Sequence, residues 1–243
     1  MTRITTIIFD MYETLMEESH DQWRATFGEI IRQQDLNVET ELFWDSWWSL
    51  GRQFRDRRNA PGALFETYYD AWREAFVGAF ETLNLSGDPI AAMDISMRDL
   101  ARRQPYSETR EALGIIQARL RTAILSNADE VYFRPNLRLL GDGIVAGLSA
   151  ALTSEQARCY KPHPEFFQEM LRRLGVTPEE CLYVGDRQLE DVQGARAAGI
   201  GAIWLNRSRS PMDPELPAPD HEISSLLEIP EILDRISGTK DAA

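Results

Sequence analysis

Short apolar runs that stop at polar residues alternate along this chain with stretches of helical periodicity. Ile4 to Phe9 is β-branched and aromatic and ends abruptly at Asp10. Arg121 to Ser126 (RTAILS), Gly147 to Thr153 (GLSAALT), Glu180 to Gly185 (ECLYVG) and Gly201 to Leu205 (GAIWL) repeat the form. Near-continuous apolar runs of this length predict strands buried on both faces of a parallel sheet. His221 to Ser224 predicts a short edge strand. Helices are expected from Ser107 or Glu108 through Ala118, then over Phe133 to Leu140, Pro164 to Leu174, Gln188 to Ala198 and Leu226 to Ile236. Pro164 suits a first helical turn, and Gly175 suits a C-terminal stop. Gly238 to Ala243 is expected to end the chain as a frayed tail.

One segment breaks the alternation. From Asp21 to about Arg103 apolar residues recur at helical spacing, as in Trp23, Phe27, Ile30 and Ile31, or Tyr68, Ala71, Trp72, Ala75 and Phe76. Asn59-Ala60-Pro61-Gly62 and Ser86-Gly87-Asp88-Pro89 mark the turns between helices. The expected architecture is therefore α/β. A doubly wound parallel sheet with right-handed crossovers is built from residues 1–16 and 104–243, and an all-helical insert occupies 17–103. Inserted between the first strand and its crossover, the helices would stand above the carboxyl edge of the sheet as a lid.

Charge and composition narrow the partners. The net charge of −13 argues against nucleic acid and anionic membranes, which repel an acidic surface. A small anionic substrate is still compatible, because local positive groups can dominate inside a cleft. No apolar run approaches the roughly 20 residues needed to span a bilayer. Met1-Thr2-Arg3 leads directly into the first strand without a signal-peptide pattern. Cys159 and Cys181 form no disulfide framework, which suits a reducing, cytoplasmic setting. A monomer or a homodimer is expected.

The strand ends carry the chemistry. Ligands of open parallel sheets bind beyond the carboxyl ends of the strands. Asp10 with Thr14, Ser126 with Asn127, Lys161 after the third strand, and Asp186 with Asp191 all fall there. Singly, each has an ordinary reading as a turn residue, a helix N-cap or a loop lysine. Together, Asp10, Asp186 and Asp191 can hold a hard divalent cation such as Mg²⁺. Asp10 can attack phosphorus and split one displacement into two. Thr14, Ser126 and backbone N–H groups at helix starts can bind phosphoryl oxygens. Lys161 would neutralise both Asp10 and the transferring group.

The segments FDMYETL (Phe9 to Leu15), AILSN (Ala123 to Asn127), YKPHPEFF (Tyr160 to Phe167) and VGDRQLEDVQGARAAG (Val184 to Gly199) make the chain resemble the haloacid dehalogenase-like (HAD) superfamily. The resemblance covers the chain except the details of the insert, whose position is similar to the family's helical cap. It implies a Rossmann-like core and a hydrolase. It also implies that Asp10 is the nucleophile, that Ser126 binds and Lys161 orients the transferred group, and that Asp186 and Asp191 hold Mg²⁺.

Two branches of that superfamily compete in this sequence. Family phosphatases place a second aspartate two residues after the nucleophile, as general acid and base. Tyr12 stands there instead. Its backbone carbonyl can still bind Mg²⁺, but a phenol titrates near pH 10 and cannot imitate a carboxylate. Glu13, in place of the usual glycine or asparagine, offers a nearby carboxylate. A tyrosine in an Asp-x-Tyr-x-Thr-Leu setting resembles the 2-haloacid dehalogenases, which displace halide from carbon without a metal. Those enzymes carry Ser-Ser-Asn where this chain has Gly185-Asp186. They carry a tyrosine at the place of Phe167 and an early arginine that finds no match at Glu41. The acidic metal set favours a phosphatase-type hydrolase of a small phosphorylated metabolite. Dehalogenation and a catalytically weak binding module are the alternatives. In the insert, Arg52, Arg55, Arg57 and Arg58 form either an anion-binding group or a solvated helix face. Trp44, Trp47 and Trp48 line a pocket or fill the insert's core.

Overall fold

The computed structural model describes residues 3–60 and 62–238; Pro61 of an expected turn and residues 239–243 of the expected tail lie outside them, while Gly238, the first residue of that tail, ends the last helix instead. Six parallel strands form one sheet in the order β3-β2-β1-β4-β5-β6. They are β1 (Thr6–Phe9), β2 (Arg121–Ser126), β3 (Leu148–Thr153), β4 (Cys181–Gly185), β5 (Gly201–Leu205) and β6 (His221–Ile223). The helices are α1 (His20–Gln34), α2 (Thr40–Asn59), α3 (Tyr68–Thr82), α4 (Pro89–Leu100), α5 (Thr109–Gln117) and α6 (Glu130–Leu139). The series continues with α7 (Asp142–Ala146), α8 (Ser154–Ala157), α9 (Pro164–Leu174), α10 (Gly194–Ala197) and α11 (Ile229–Gly238). The chain divides into two compact units.

The first unit comprises Met1–Glu17, Gln104–Asn127 and Leu137–Ala243. All four residues of β1 are buried, and β1 pairs with β2 on one side and β4 on the other. The strand order reverses direction at β1, between β2 and β4, so the carboxyl end of β1 lies where such sheets bind ligands. Phe9 is in register with Ile124 and Val184, so Asp10, Ser126 and Asp186 emerge at neighbouring points of one edge. Beneath them, Ile8, Leu125, Leu152, Phe166, Phe167, Tyr183 and Val192 share one apolar cluster.

One expected helix has a different form. Gln188 to Ala198 opens as a π-helical turn over Gln188–Gln193, in which Val192 N–H reaches back to Arg187 O, before the short α10. The wide turn brings Asp191 under its own N-terminus, where its Oδ2 accepts from Arg187 N–H at 2.8 Å. Single-turn π segments are frequent at functional sites.

The second unit comprises Glu18–Arg103 and Ala128–Asn136. Three of its helices start on side-chain caps: α1 on Ser19 in a capping box with Gln22, α3 on Thr67 at Asp70 N, and α4 on Asp88 at Ile90 N with Pro89 following. Trp23, Phe27, Phe43, Trp44, Trp47, Trp72 and Phe76 are buried. Phe27 meets Phe43, Trp44 and Trp47 edge-on at 4.9 to 5.5 Å, an arrangement aromatic quadrupoles favour. The tryptophans therefore serve as core, with Trp48 stacked on Trp44. The arginines of α2 have different surroundings, and Arg52 is exposed. Arg58 is buried against Phe54 and Tyr68, Arg55 lies 4.0 Å over the Trp48 ring, and Arg57 pairs with Glu66 at 3.5 Å.

Residues 128–136 follow Ser126-Asn127 in sequence but pack with these helices. The buried Asp129 carboxylate accepts from Tyr68 N–H at 3.1 Å and Tyr69 N–H at 2.7 Å, at the N-terminus of α3. Tyr132 stacks on Trp72, and Asn136 Nδ2 donates to Leu100 O at the end of α4.

Candidate active site

Segments that follow β1, β3 and β4 bring Asp10, Lys161, Asp186 and Asp191 together. Asp10 is 7% exposed, Lys161 2% and Asp191 1%. Lys161 Nζ lies 2.6 Å from Asp10 Oδ1 and 2.6 Å from Asp191 Oδ1. Carboxylate oxygens of Asp10, Asp186 and Asp191 lie within 4.8 Å of one another. Lys161 faces Asp10 and Asp191, and the half-exposed Arg187, which also pairs with Glu13, lies 3.9 Å from Asp186 Oδ2, so carboxylates outnumber cations here. Burial, opposed by Lys161 and reinforced by Asp191, pushes Asp10 up to about 7. Burial, with Asp191 and Asp10 nearby, lifts Asp186 well above the ordinary carboxylate range. Burial alone would depress Lys161, but Asp10 and Asp191 outweigh it and hold the ammonium above its usual value.

Each partner is held by identifiable contacts. Asp191 uses both oxygens, Oδ1 for Lys161 and Tyr183 and Oδ2 for Arg187 N–H. Gly185 makes room for it: a β-carbon there would stand 2.3 Å from Asp191 Cγ. Gly194 likewise lies where a β-carbon would meet the Phe167 ring at 2.5 Å. The glycines of the Gly-Asp…Gly-Ala pattern thus let the fourth motif close against the lysine loop. Asp186, whose side chain is 17% exposed, accepts from Thr14 Oγ1 at 3.3 Å. A cavity of about 480 Å³ opens beside it, with Glu13, Tyr106, Arg187, Trp204 and Arg207 in its lining. Glu13 pairs with Arg187 there at 3.2 Å.

The predicted group-binding residues separate into two kinds. Ser126 Oγ is buried and has no hydrogen-bond partner among the described residues. Such a group costs about 1–3 kcal/mol unless something occupies it. Asn127 is already engaged: its Oδ1 accepts from Lys161 N–H at 2.8 Å and its Nδ2 donates to Lys161 O at 3.1 Å. It clamps the lysine loop to the end of β2. Thr14 turns towards Asp186, and Tyr12, half-buried, forms a backbone bridge with Met16.

Tyr183 was not expected in this cluster. It lies in the apolar run ECLYVG, where a tyrosine passes for one more buried aromatic. Its hydroxyl accepts from Lys161 Nζ at 2.9 Å and lies 3.1 Å from both Asp191 Oδ1 and Leu125 O. The only sequence signal is its place on a strand that ends in Gly185-Asp186.

Comparison with known proteins finds relatives in both branches. A (S)-2-haloacid dehalogenase of Pseudomonas sp. (strain CBS-3) is 29% identical over 98% of this chain and all of its own length. A glyceraldehyde 3-phosphate phosphatase of Methanopyrus kandleri is 35% identical over 96% of this chain and 99% of its own. A phosphoserine phosphatase of Thermus thermophilus is 37% identical over 53% of this chain, which spans about half (51%) of that relative's length. Among solved structures, the magnesium-bound HAD-hydrolase YfnB of Bacillus subtilis superimposes with a TM-score of 0.78 at 21% identity, covering 96% of this chain and 100% of that one. The family model for haloacid dehalogenase-like hydrolases matches residues 4–199, and the chain belongs to that family.

Proposed function

We propose that the protein is a Mg²⁺-dependent phosphatase-type hydrolase of a small phosphorylated metabolite, working through an aspartyl-phosphate on Asp10. The observation that carries this reading is the uncompensated carboxylate set of Asp10, Asp186 and Asp191. Hard oxygen donors held close together, with carboxylates in excess of cations, fit a hard divalent cation better than they fit one another. Asp10, Asp186 and the Tyr12 carbonyl would hold the ion. Asp191, both of whose oxygens are engaged, would support them through Lys161 and Arg187 N–H. The ion, when bound, would shield an anionic phosphoryl group from the approaching carboxylate.

The chain's own residues supply the rest. Lys161 ties up Asp10 Oδ1, and Oδ2 receives none of its N–H groups, which makes Oδ2 the attacking oxygen. The unpartnered Ser126 hydroxyl would donate to a phosphoryl oxygen, gaining the partner that it lacks. Attack by Oδ2 would break the ester P–O bond and release the alcohol, which takes a proton; water would then cleave the aspartyl-phosphate to inorganic phosphate and restore Asp10. With Tyr12 in place of a carboxylate, Glu13 is the next carboxylate in the loop, and its pair with Arg187 is half-exposed and weak.

Dehalogenation is the second reading, favoured by Tyr12 itself. Asp10 would then displace halide from carbon. A panel of phosphate esters and 2-haloacids separates the readings, assayed with Mg²⁺ and with chelator, on the wild type and Asp10→Asn. Phosphate release that needs both Mg²⁺ and Asp10 is expected. Halide release that survives chelation would overturn the phosphatase reading, and inactivity towards both classes of substrate would favour a binding module.

A further inference from the structure

We propose that Tyr183 is a positioning residue of this site: its hydroxyl takes the third N–H of Lys161 and so fixes which oxygen of Asp10 stays free to react. An ammonium has three donors and no acceptor. In this protein all three find partners, at 2.6 Å on Asp10 Oδ1, 2.6 Å on Asp191 Oδ1 and 2.9 Å on Tyr183 Oη. Lys161 therefore has no N–H left over for a substrate. Its work is done on Asp10, and the direction of its head group is set by the other two partners.

The phenol suits that task. It is fully buried, with its ring edge-on to Phe167 at 5.1 Å, so it cannot swing away. Having accepted from Lys161, it has one proton to donate, and Asp191 Oδ1 and Leu125 O each lie 3.1 Å away. The charged carboxylate is the stronger acceptor. Lys161, Tyr183 and Asp191 then close a ring of hydrogen bonds, anchored through Asp191 Oδ2 on Arg187 N–H and reaching Asp10 through Lys161. Without the hydroxyl, one N–H of a buried cation loses its acceptor. The nearest remedy is to rotate onto the second oxygen of Asp10, which is the one needed for attack.

The inference rests on Asp10 being the nucleophile, under either reaction considered above, and its test has an arm that needs no turnover. Tyr183→Phe removes one oxygen from a well-packed ring, and the amide spectrum reports whether the fold is kept. In protein with ¹⁵N-labelled lysine, the wild type is expected to show one slowly exchanging ammonium signal from Lys161. That signal should broaden beyond detection in Tyr183→Phe. On whichever substrate the wild type turns over, kcat should fall at least about 10-fold while KM stays within about 2-fold, because the phenol touches no substrate. A variant that keeps the ammonium signal overturns the proposal, and so does one whose KM rises in step with any loss. A wild type silent on both substrate classes would refute the functional reading, while the ammonium signal would still decide the role of Tyr183.

Discussion

Gly185 and Asp191 occupy each other's space: a β-carbon on the glycine would stand 2.3 Å from Asp191 Cγ and 2.4 Å from its Oδ2. These atoms belong to a carboxylate locked by Lys161, Tyr183 and a backbone N–H, so they cannot move cheaply. Gly185→Ala should therefore destabilise the protein by about 1–3 kcal/mol, the usual cost of overpacking. The clash should also displace Lys161 from Asp10, and a misplacement near 1 Å can cost about 10²-fold in rate. Thermal unfolding and turnover measured together test this. A variant that loses stability but keeps its rate would show that Asp191 need not stand where it does.

The charge imbalance predicts a pH dependence of known sign. The Asp10 carboxyl rises from 3.8 to about 7 in the folded protein, chiefly through burial. A raised acid binds its proton more tightly in the folded state. Its contribution to stability is complete below about pH 4 and is lost as pH rises towards about 7, to an extent on the order of a few kcal/mol. In chelator, Asp10→Asn should match the wild type near pH 4 and exceed it in melting temperature at pH 8. Mg²⁺ should raise the wild-type melting temperature more at pH 8 than at pH 5.5, because binding competes with protons for the same oxygens. A melting temperature unmoved by Mg²⁺ at pH 8 would remove the cation from the site.

A third prediction concerns the helical unit. Asp129 accepts from the first two N–H groups of α3 and places a negative charge at the positive end of that helix. Asp129→Ala removes the acceptor of two part-buried donors, which costs about 1 kcal/mol, as loss of a helix N-terminal cap does. Hydrogen exchange of the full chain should show the first turn of α3 losing protection, while β1 and β4 keep theirs. Equal loss in both units would mean that Asp129 serves more than α3.

How far these features could be read in advance depended on their range. Pro164–Leu174 and Gly201–Leu205 match the expected boundaries to the residue, because proline, glycine and abrupt polar ends are local signals. The strand-end carboxylates and Lys161 were legible for the same reason, as polar residues punctuating apolar runs. Tyr183 was not, since a phenol inside a buried strand looks like any aromatic until its neighbours across the sheet are known. The Asn127 clamp on the Lys161 backbone spans 34 residues and leaves no local mark. Nor does any periodicity reveal that Asp129 and Asn136 serve helix ends of the insert rather than the α/β pattern they sit in.

The position that divides the two reactions is Tyr12, and replacing it gives the sharpest test. Tyr12→Asp restores a carboxylate two residues beyond Asp10, where it can protonate a leaving oxygen and later activate water. General acid and base catalysis of this kind is typically worth about 10²–10⁴-fold. The variant also adds a further negative charge near Asp10 and Asp186, which burial already strains. Phosphate release should therefore rise by up to that factor and become more strictly dependent on Mg²⁺, with activity in chelator falling below that of the wild type. Any halide release should fall, because a second carboxylate repels a haloacid. Phosphate-ester and haloacid kinetics on the wild type and Tyr12→Asp, at matched Mg²⁺, measure both trends. No gain in phosphate release would mean that the side chain at position 12 does not limit hydrolysis, and the Glu13 carboxylate would then be the next to replace.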